Sequence, residues 1–236
     1  MKIKQIFALC TALLFTVNTS AQDIPNVNPK ATYTDSEGVE QTVSPGESIN
    51  AQAPLVVLFQ SNPENTEGYT MNYKWTVTKE GKTDPDIVRY EEATELTFND
   101  SGTHLVKLTY TYTDSEGNLI TPEETYEFSA TIEESKLEFP NAFSPESGND
   151  RNRIFCAKIY QSIVEFEATI FNRWGQKIYS WSDPAGGWDG TFNGKDAKAG
   201  VYYLLVKAKG ADGRTYNIRR DVNLFRGYKE GSRLNQ

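Results

Sequence analysis

Between Ile170 and Tyr203 the chain carries three turn signals, Asn172-Arg173-Trp174-Gly175, Asp189-Gly190 and Asn193-Gly194. Asp-Gly and Asn-Gly supply the positive φ angles that tight hairpins need. The apolar residues between them are aromatic or β-branched, which suits half-buried strands. The stretch therefore predicts a compact β-meander, with Trp174, Trp181 and Trp188 available to fill its core. No side chain in it is placed for chemistry.

Upstream the same logic continues. Strands are predicted at Val39–Val43, Leu55–Gln60, Asn72–Thr78, Glu95–Phe98, Thr103–Tyr112 and Tyr126–Ile132. Leu55–Gln60 is a continuous apolar run, the pattern of a strand buried on both faces. Thr103–Tyr112 alternates, with Leu105, Lys107 and Thr109 on one face and Val106, Leu108, Tyr110 and Tyr112 on the other. No useful 3.6-residue period appears. Seven or so short strands in about 100 residues predict an immunoglobulin-like β-sandwich. The hexapeptide Tyr-Thr-Asp-Ser-Glu-Gly occurs twice, at Tyr33–Gly38 and Tyr112–Gly117. Asp-Ser-Glu fits a type I turn, with Gly at the left-handed position of a bulged hairpin. Calcium at these loops is the weaker reading, because two carboxylates per loop are too few for a hard cation. No other cofactor is expected.

The start of the chain has a different character. Lys2 and Lys4 precede an apolar run, Ile6–Val17, and small residues at Thr19-Ser20-Ala21. This is the layout of a secretory signal peptide over residues 1–21, too short to span a bilayer permanently. An extended leader is expected over 22–30, where Pro25, Pro29 and several Asn disfavour regular structure. After cleavage Cys156 is the only cysteine, so no internal disulfide is possible and packing must hold the fold. Cys156 is expected to be a buried small side chain.

Charge divides the exported chain. Residues 22–135 hold 6 Lys/Arg and 21 Asp/Glu, net −15, whereas residues 136–236 hold 16 and 11, net +5. The asymmetry predicts two modules with different surfaces. A modest +5 without a basic run argues against nucleic acid as a partner.

Tyr73-Lys74-Trp75-Thr76-Val77, Phe98 and Ser101-Gly102-Thr103-His104-Leu105-Val106-Lys107-Leu108 resemble the motifs of PKD-like extracellular sandwiches. The resemblance covers residues 31–135. Trp75 is the expected core plug, Gly102 the turn into the next strand, and His104 a structural residue rather than a ligand, since no second His exists to share a metal.

A second series follows. It comprises Asn141, Phe143 and Pro145 in Phe139–Pro145, then Asn149 and Asp150, then Asn172, Arg173, Trp174 and Gly175, then Trp188, Asp189 and Gly190, then Gly200 and Tyr202, and finally Arg226. In this order the motifs resemble the gliding-motility-associated C-terminal domain, the type B sorting domain of the type IX secretion system in Bacteroidota. The resemblance implies a second β-sandwich over residues 136–226 and recognition by the outer-membrane type IX machinery or an outer-membrane partner protein. This sequence departs from the family at two margins. The loop Glu146–Phe155 carries Arg151 and Arg153 where the family is acidic, and residues 227–236 extend past Arg226.

The expected fold is thus all-β, with two immunoglobulin-like sandwiches in tandem after a signal peptide. No nucleophile with a base, zinc spacing or phosphate-cradling loop is present, so no catalytic residue is expected and the protein is read as a non-enzyme. The expected function is an exported cell-surface or secreted structural or adhesion protein whose C-terminal domain directs secretion or docking. The alternative is a carbohydrate- or protein-binding module held in the periplasm or at the outer membrane, with Tyr69, Tyr73, Tyr90, Tyr110 and Tyr112 as a sugar-stacking face.

Overall fold

The structure is a computed structural model that describes residues 24–147 and 149–227. The expected signal peptide and residues 228–236 lie outside the described residues. Apart from one 3-10 turn at Asp150–Asn152, every regular element described is a strand. Along the first module these are β1 (Asn26–Val27), β2 (Lys30–Thr34), β3 (Glu40–Val43), β4 (Ser48–Ala51), β5 (Leu55–Gln60), β6 (Pro63–Glu64), β7 (Thr70–Lys79), β8 (Ile87–Arg89), β9 (Ala93–Phe98), β10 (Gly102–Thr113), β11 (Leu119–Ile120) and β12 (Tyr126–Ile132). Ten of them form two main sheets, in the orders β3-β2-β5-β9 and β4-β12-β10-β7-β8 with β11 added to β10, and β1 and β6 form a separate two-stranded ribbon.

The two sheets face each other across one core. Trp75 on β7 is almost fully buried, its ring 5.8 Å from Phe59, and Phe59 lies 5.4 Å from Phe128. Trp75 Nε1–H donates to the Glu91 carbonyl at 3.1 Å, which satisfies its one polar atom. His104 is also structural. Its Nε2–H donates to the Asp100 carbonyl at 2.9 Å and its ring packs on Phe98.

Three expectations need correction here. β5 is not buried on both faces: Leu55, Val57 and Phe59 point inward and Val56 is exposed, because only one sheet covers it. The leader is not free chain, since β1 pairs with β6 and Val27 is buried. The tyrosine face does not form, because Tyr73, Tyr110 and Tyr112 turn their rings into the core and leave Tyr90 exposed by itself. Cys156 differs in degree: it is half-buried, and burial pushes its thiol pKa up.

The second module contains β13 (Lys136–Glu138), β14 (Ala142–Phe143), β15 (Phe155–Cys156), β16 (Ile159–Gln161), β17 (Ile163–Phe171), β18 (Lys177–Trp181), β19 (Gly187–Trp188), β20 (Thr191–Phe192), β21 (Lys195–Asp196), β22 (Gly200–Gly210) and β23 (Thr215–Leu224). One sheet runs β14-β23-β22-β17-β18. Three two-stranded ribbons complete the module, β13-β16, β15-β19 and β20-β21, of which the first two put Leu137, Phe155 and Trp188 into the core that the sheet faces. The shared core holds Phe139, Phe143, Phe155, Trp181, Trp188, Leu204 and Val206.

The modules meet at the turn between β22 and β23. Ala211 leaves its own module and is buried in the core of the first. Its carbonyl accepts the Ser101 amide at 3.0 Å, and its amide donates to the Ser162 carbonyl at 2.9 Å. The Ala53 amide donates to Ser162 Oγ across the same boundary at 3.2 Å. In the connecting segment Ser135 is buried, and its hydroxyl donates to Asp212 Oδ1 at 2.7 Å with Tyr216 Oη 2.9 Å away. A Cβ on Gly210 would lie 2.0 Å from Ser135 Oγ, so only glycine fits. Desolvation raises the Asp212 pKa, but the hydrogen bonds from Ser135 and Arg214 outweigh it and hold the carboxyl below its ordinary range.

Limited proteolysis at neutral pH is expected to leave Glu133–Leu137 uncut. Gly210→Ala, which forces overlap with Ser135 at a cost of about 1–3 kcal/mol, is expected to expose it. A depressed carboxylate pKa stabilises above its unfolded value and loses that contribution as pH falls through the folded one. Protection is therefore expected to hold down to about pH 5 and to fall only below about pH 4.

Candidate functional site

Three hairpin loops share one design. In each, the first residue's Oδ1 accepts two backbone amides, and glycine closes the turn with positive φ. At Asp35 the donors are Glu37 and Val39 (3.0 and 2.9 Å), and at Asp114 they are Glu116 and Asn118 (2.9 and 2.8 Å). At Asn172 they are Trp174 and Gln176, both at 3.0 Å. The closing glycines have φ of 80°, 88° and 77° at Gly38, Gly117 and Gly175. Hydrogen bonds lower the pKa of both carboxylates, Asp35 chiefly through the Val39 amide and Asp114 chiefly through the Asn118 side-chain amide and then its backbone N–H. The acidic loops thus spend a carboxylate oxygen on backbone amides. Among the described residues no group of three or more metal-ligating side chains converges.

The shared design fixes the fate of Trp174. It occupies the slot that Glu37 and Glu116 hold in the other loops, and that slot points to solvent. Trp174 is 75% exposed, with the Arg173 guanidinium 4.3 Å from its ring centroid. The expectation that it fills the core is therefore overturned. Trp181 and Trp188 do fill it.

Trp188 is the centre of the module's distal core. It packs against Phe143 at 5.3 Å and Tyr202 at 4.9 Å, and its Nε1–H donates to the Thr191 carbonyl at 2.8 Å. Tyr202 Oη–H donates to the Lys198 carbonyl at 2.9 Å. Asp189 Oδ1 accepts the Thr191 amide and hydroxyl at 2.9 and 2.8 Å. Asp189-Gly190 is accordingly a bend between β19 and β20 rather than the tip of a hairpin, whereas Asn193-Gly194 does turn β20 into β21.

Arg226 draws separate motifs together. Nε–H donates to the Ala197 carbonyl at 2.8 Å and Nη2–H to the Gly190 carbonyl at 2.7 Å. Nη1 lies 3.4 Å from Glu146 and 3.3 Å from Asp196. Pro145 fills the space above Gly190, where a Cβ would meet its Cγ at 2.7 Å. The strand leading to Arg226 is held in parallel beside β14, with the Asn223 amide donating to the Asn141 carbonyl and Phe225 to Phe143. Gly200 opens β22 opposite Leu224. The start of the altered loop and the end of the last strand, remote in sequence, thus meet at one guanidinium. Asn149 and Asp150 sit further along that loop, where the Asn149 carbonyl accepts the Asn152 amide and Asp150 pairs with Arg153 at 3.3 Å.

Beside this clasp lies an open groove of about 630 Å³. The loop Asn172–Gln176 forms one wall and residues Phe192–Tyr202 much of the other. Arg173, Lys195 and Lys198 line it with no ion pair among the described residues, and the lining Asp196 is already paired with Arg226. Val201 borders the same groove and Tyr203 continues along the strand, both 46% exposed. Clustered exposed apolar side chains with a polar rim mark interaction surfaces. Sequence reasoning missed Lys195, Lys198 and Glu146, because only the folded register places them beside Trp174 and Arg226.

Residues 137–219 match the CHU_C type IX secretion signal domain. The match indicates an exported protein, at the cell surface or outside the cell, that meets the type IX machinery. No curated protein matches this sequence. Among solved structures the chain is similar to a tetra-tandem repeat in the extending region of a large adhesion protein, at 13% identity over 86% of this chain and 68% of that one, with a TM-score of 0.26. It is similar to dimeric latent PorU from Porphyromonas gingivalis at 13% identity, over 88% and 21%, with a TM-score of 0.26. It is also similar to the Bacteroides ovatus mixed-linkage glucan utilization locus SGBP-B at 13% identity, over 85% and 48%, with a TM-score of 0.23.

Trp188→Ala is expected to cost about 3–5 kcal/mol in urea unfolding, and Trp174→Ala to change stability by less than about 0.5 kcal/mol. Arg226→Ala is expected to cost roughly 1.5–3 kcal/mol. Arg226→Lys is expected to recover little of this, because an ammonium cannot span both carbonyls as the planar fork does.

Proposed function

We propose that this chain is an exported, non-enzymatic structural or adhesion protein of the cell surface. Its acidic, PKD-like first module is the displayed part. Its second module is the part read by the type IX machinery, and it stays attached after export. The observation that carries the reading is the match of residues 137–219 to a type IX secretion signal domain. The site adds a physical reason for recognition at one end. The Trp174 and Arg173 side chains stand exposed beside an open groove, while Arg226, Pro145 and Gly190 hold that end in shape.

The folded junction supports retention. A segment tied to the first module by the Glu133 amide on the Ala51 carbonyl and to the second by the Ser135 amide and hydroxyl on Asp212 offers a protease no extended loop. Catalysis has no comparable support, because the groove is lined by lysines, an arginine and amide groups without a nucleophile and base in contact.

Fractionation tests the sorting role. In cells with a working type IX system the unaltered chain is expected on the surface or in the medium. Trp174→Ala, which leaves the fold intact, is expected to accumulate in the periplasm at least several-fold. Surface display of that variant at the normal level would remove Trp174 from the recognition site, and periplasmic retention of the unaltered chain would refute the reading.

A further inference from the structure

The two ends of this molecule are opposite in character. The junction holds Gly102 of β10 and Gly210 of β22, so Thr113 and Gly200 lie at the two far ends. Strands of 12 and 11 residues at about 3.3 Å per residue put roughly 35–40 Å between the junction and each end.

At the far end of the first module lies a groove of about 570 Å³ lined by Ile24, Tyr110, Tyr112, Pro122, Glu123 and Glu124. Ile24 is 68% exposed, and Leu119 in the neighbouring hairpin is 66% exposed. Two of the segments at this end, 61–70 and 112–126, contain Glu64, Glu67, Asp114, Glu116, Glu123 and Glu124 and no Lys or Arg, and Lys30, opposite Gln60 in β2, is held by the Ser44 hydroxyl. Neither groove-lining glutamate has an ion pair among the described residues, and Glu124 accepts only the Tyr126 hydroxyl at 3.1 Å.

At the far end of the second module lies the Trp174 groove, where Arg173, Lys195 and Lys198 make no ion pair among the described residues. One end therefore offers carboxylates around an open groove of mixed polar and apolar lining, floored only by the edges of the largely buried Tyr110 and Tyr112. The other offers cations around a protruding indole. Burying an indole removes about 150–250 Å² from water, and opposed charges around it set the register.

We propose that these ends bind each other between copies of the chain, head to tail, with Trp174 of one copy entering the Tyr110–Tyr112 groove of the next and Lys195 and Lys198 facing Glu123 and Glu124. The occupant is a second copy because this one chain presents both complementary surfaces, at opposite poles, where they cannot meet within the same molecule. The contact is heterologous, and with its two surfaces at opposite poles of the molecule it adds copies into an open chain. Two small ends fall in the weak class of interface, with a dissociation constant on the order of 10–100 μM and a strong dependence on salt. For a surface protein this gives chains only where molecules are crowded.

Sedimentation of the purified exported chain tests this without reference to export. Between about 5 and 500 μM at low salt, the weight-average mass is expected to climb past dimer, and about 0.5 M salt is expected to reverse it. Trp174→Ala, and separately Glu123→Lys with Glu124→Lys, is expected to weaken association at least tenfold. A chain with Lys195→Glu and Lys198→Glu is also expected to stay monomeric, and mixing it with the Glu123/Glu124 variant is expected to restore growth by alternate pairing. A monomer at 500 μM overturns the proposal. So does a mass that stops at dimer, which would mean a symmetric contact. Association unchanged by Trp174→Ala overturns it too.

Discussion

Ala211 is one small side chain, but its burial in the neighbouring module's core makes the two sandwiches a single body. Everything around it serves that insertion. Gly210 has no Cβ because Ser135 stands where one would go, Ser162 bridges to Ala53, and Asp212 collects the amide and hydroxyl of Ser135. The joint fixes which loops face outward together. It puts the Trp174 loop and the Arg226 clasp at one pole and the acidic tyrosine groove at the other.

The second module depends on a division of labour among its aromatic residues. Trp188, Phe143 and Tyr202 interlock beneath the clasp, and their polar atoms are satisfied by nearby carbonyls. Arg226 then ties the last strand to two carbonyls and lies beside two carboxylates. Because these residues carry the packing, Trp174 and Arg173 are released from it.

The sequence made the strands legible where one face is buried. The alternation in Thr103–Tyr112 and Tyr126–Ile132 maps directly onto β10 and β12. It misjudged Leu55–Gln60, because an uninterrupted apolar run does not reveal that its outer face is uncovered. It missed β4, where a single buried Ile49 in a polar segment pairs in parallel with β12. Trp174 was misplaced because composition says tryptophan goes inside, whereas the loop it shares with Asp35 and Asp114 decides where it points. The two identical hexapeptides already held that answer, since Glu occupies the equivalent slot in both. The clasp and the groove were beyond sequence, because Glu146, Gly190, Asp196 and Arg226 meet only after the sheet sets their register.

The most direct test of the account is the intact mass of the protein recovered from the surface of cells that export it. A single species spanning both modules is expected, with the junction at Glu133–Leu137 uncut. A surface species that ends within that junction would contradict it, because the second module would then be a signal removed on arrival and not a permanent end of the mature molecule.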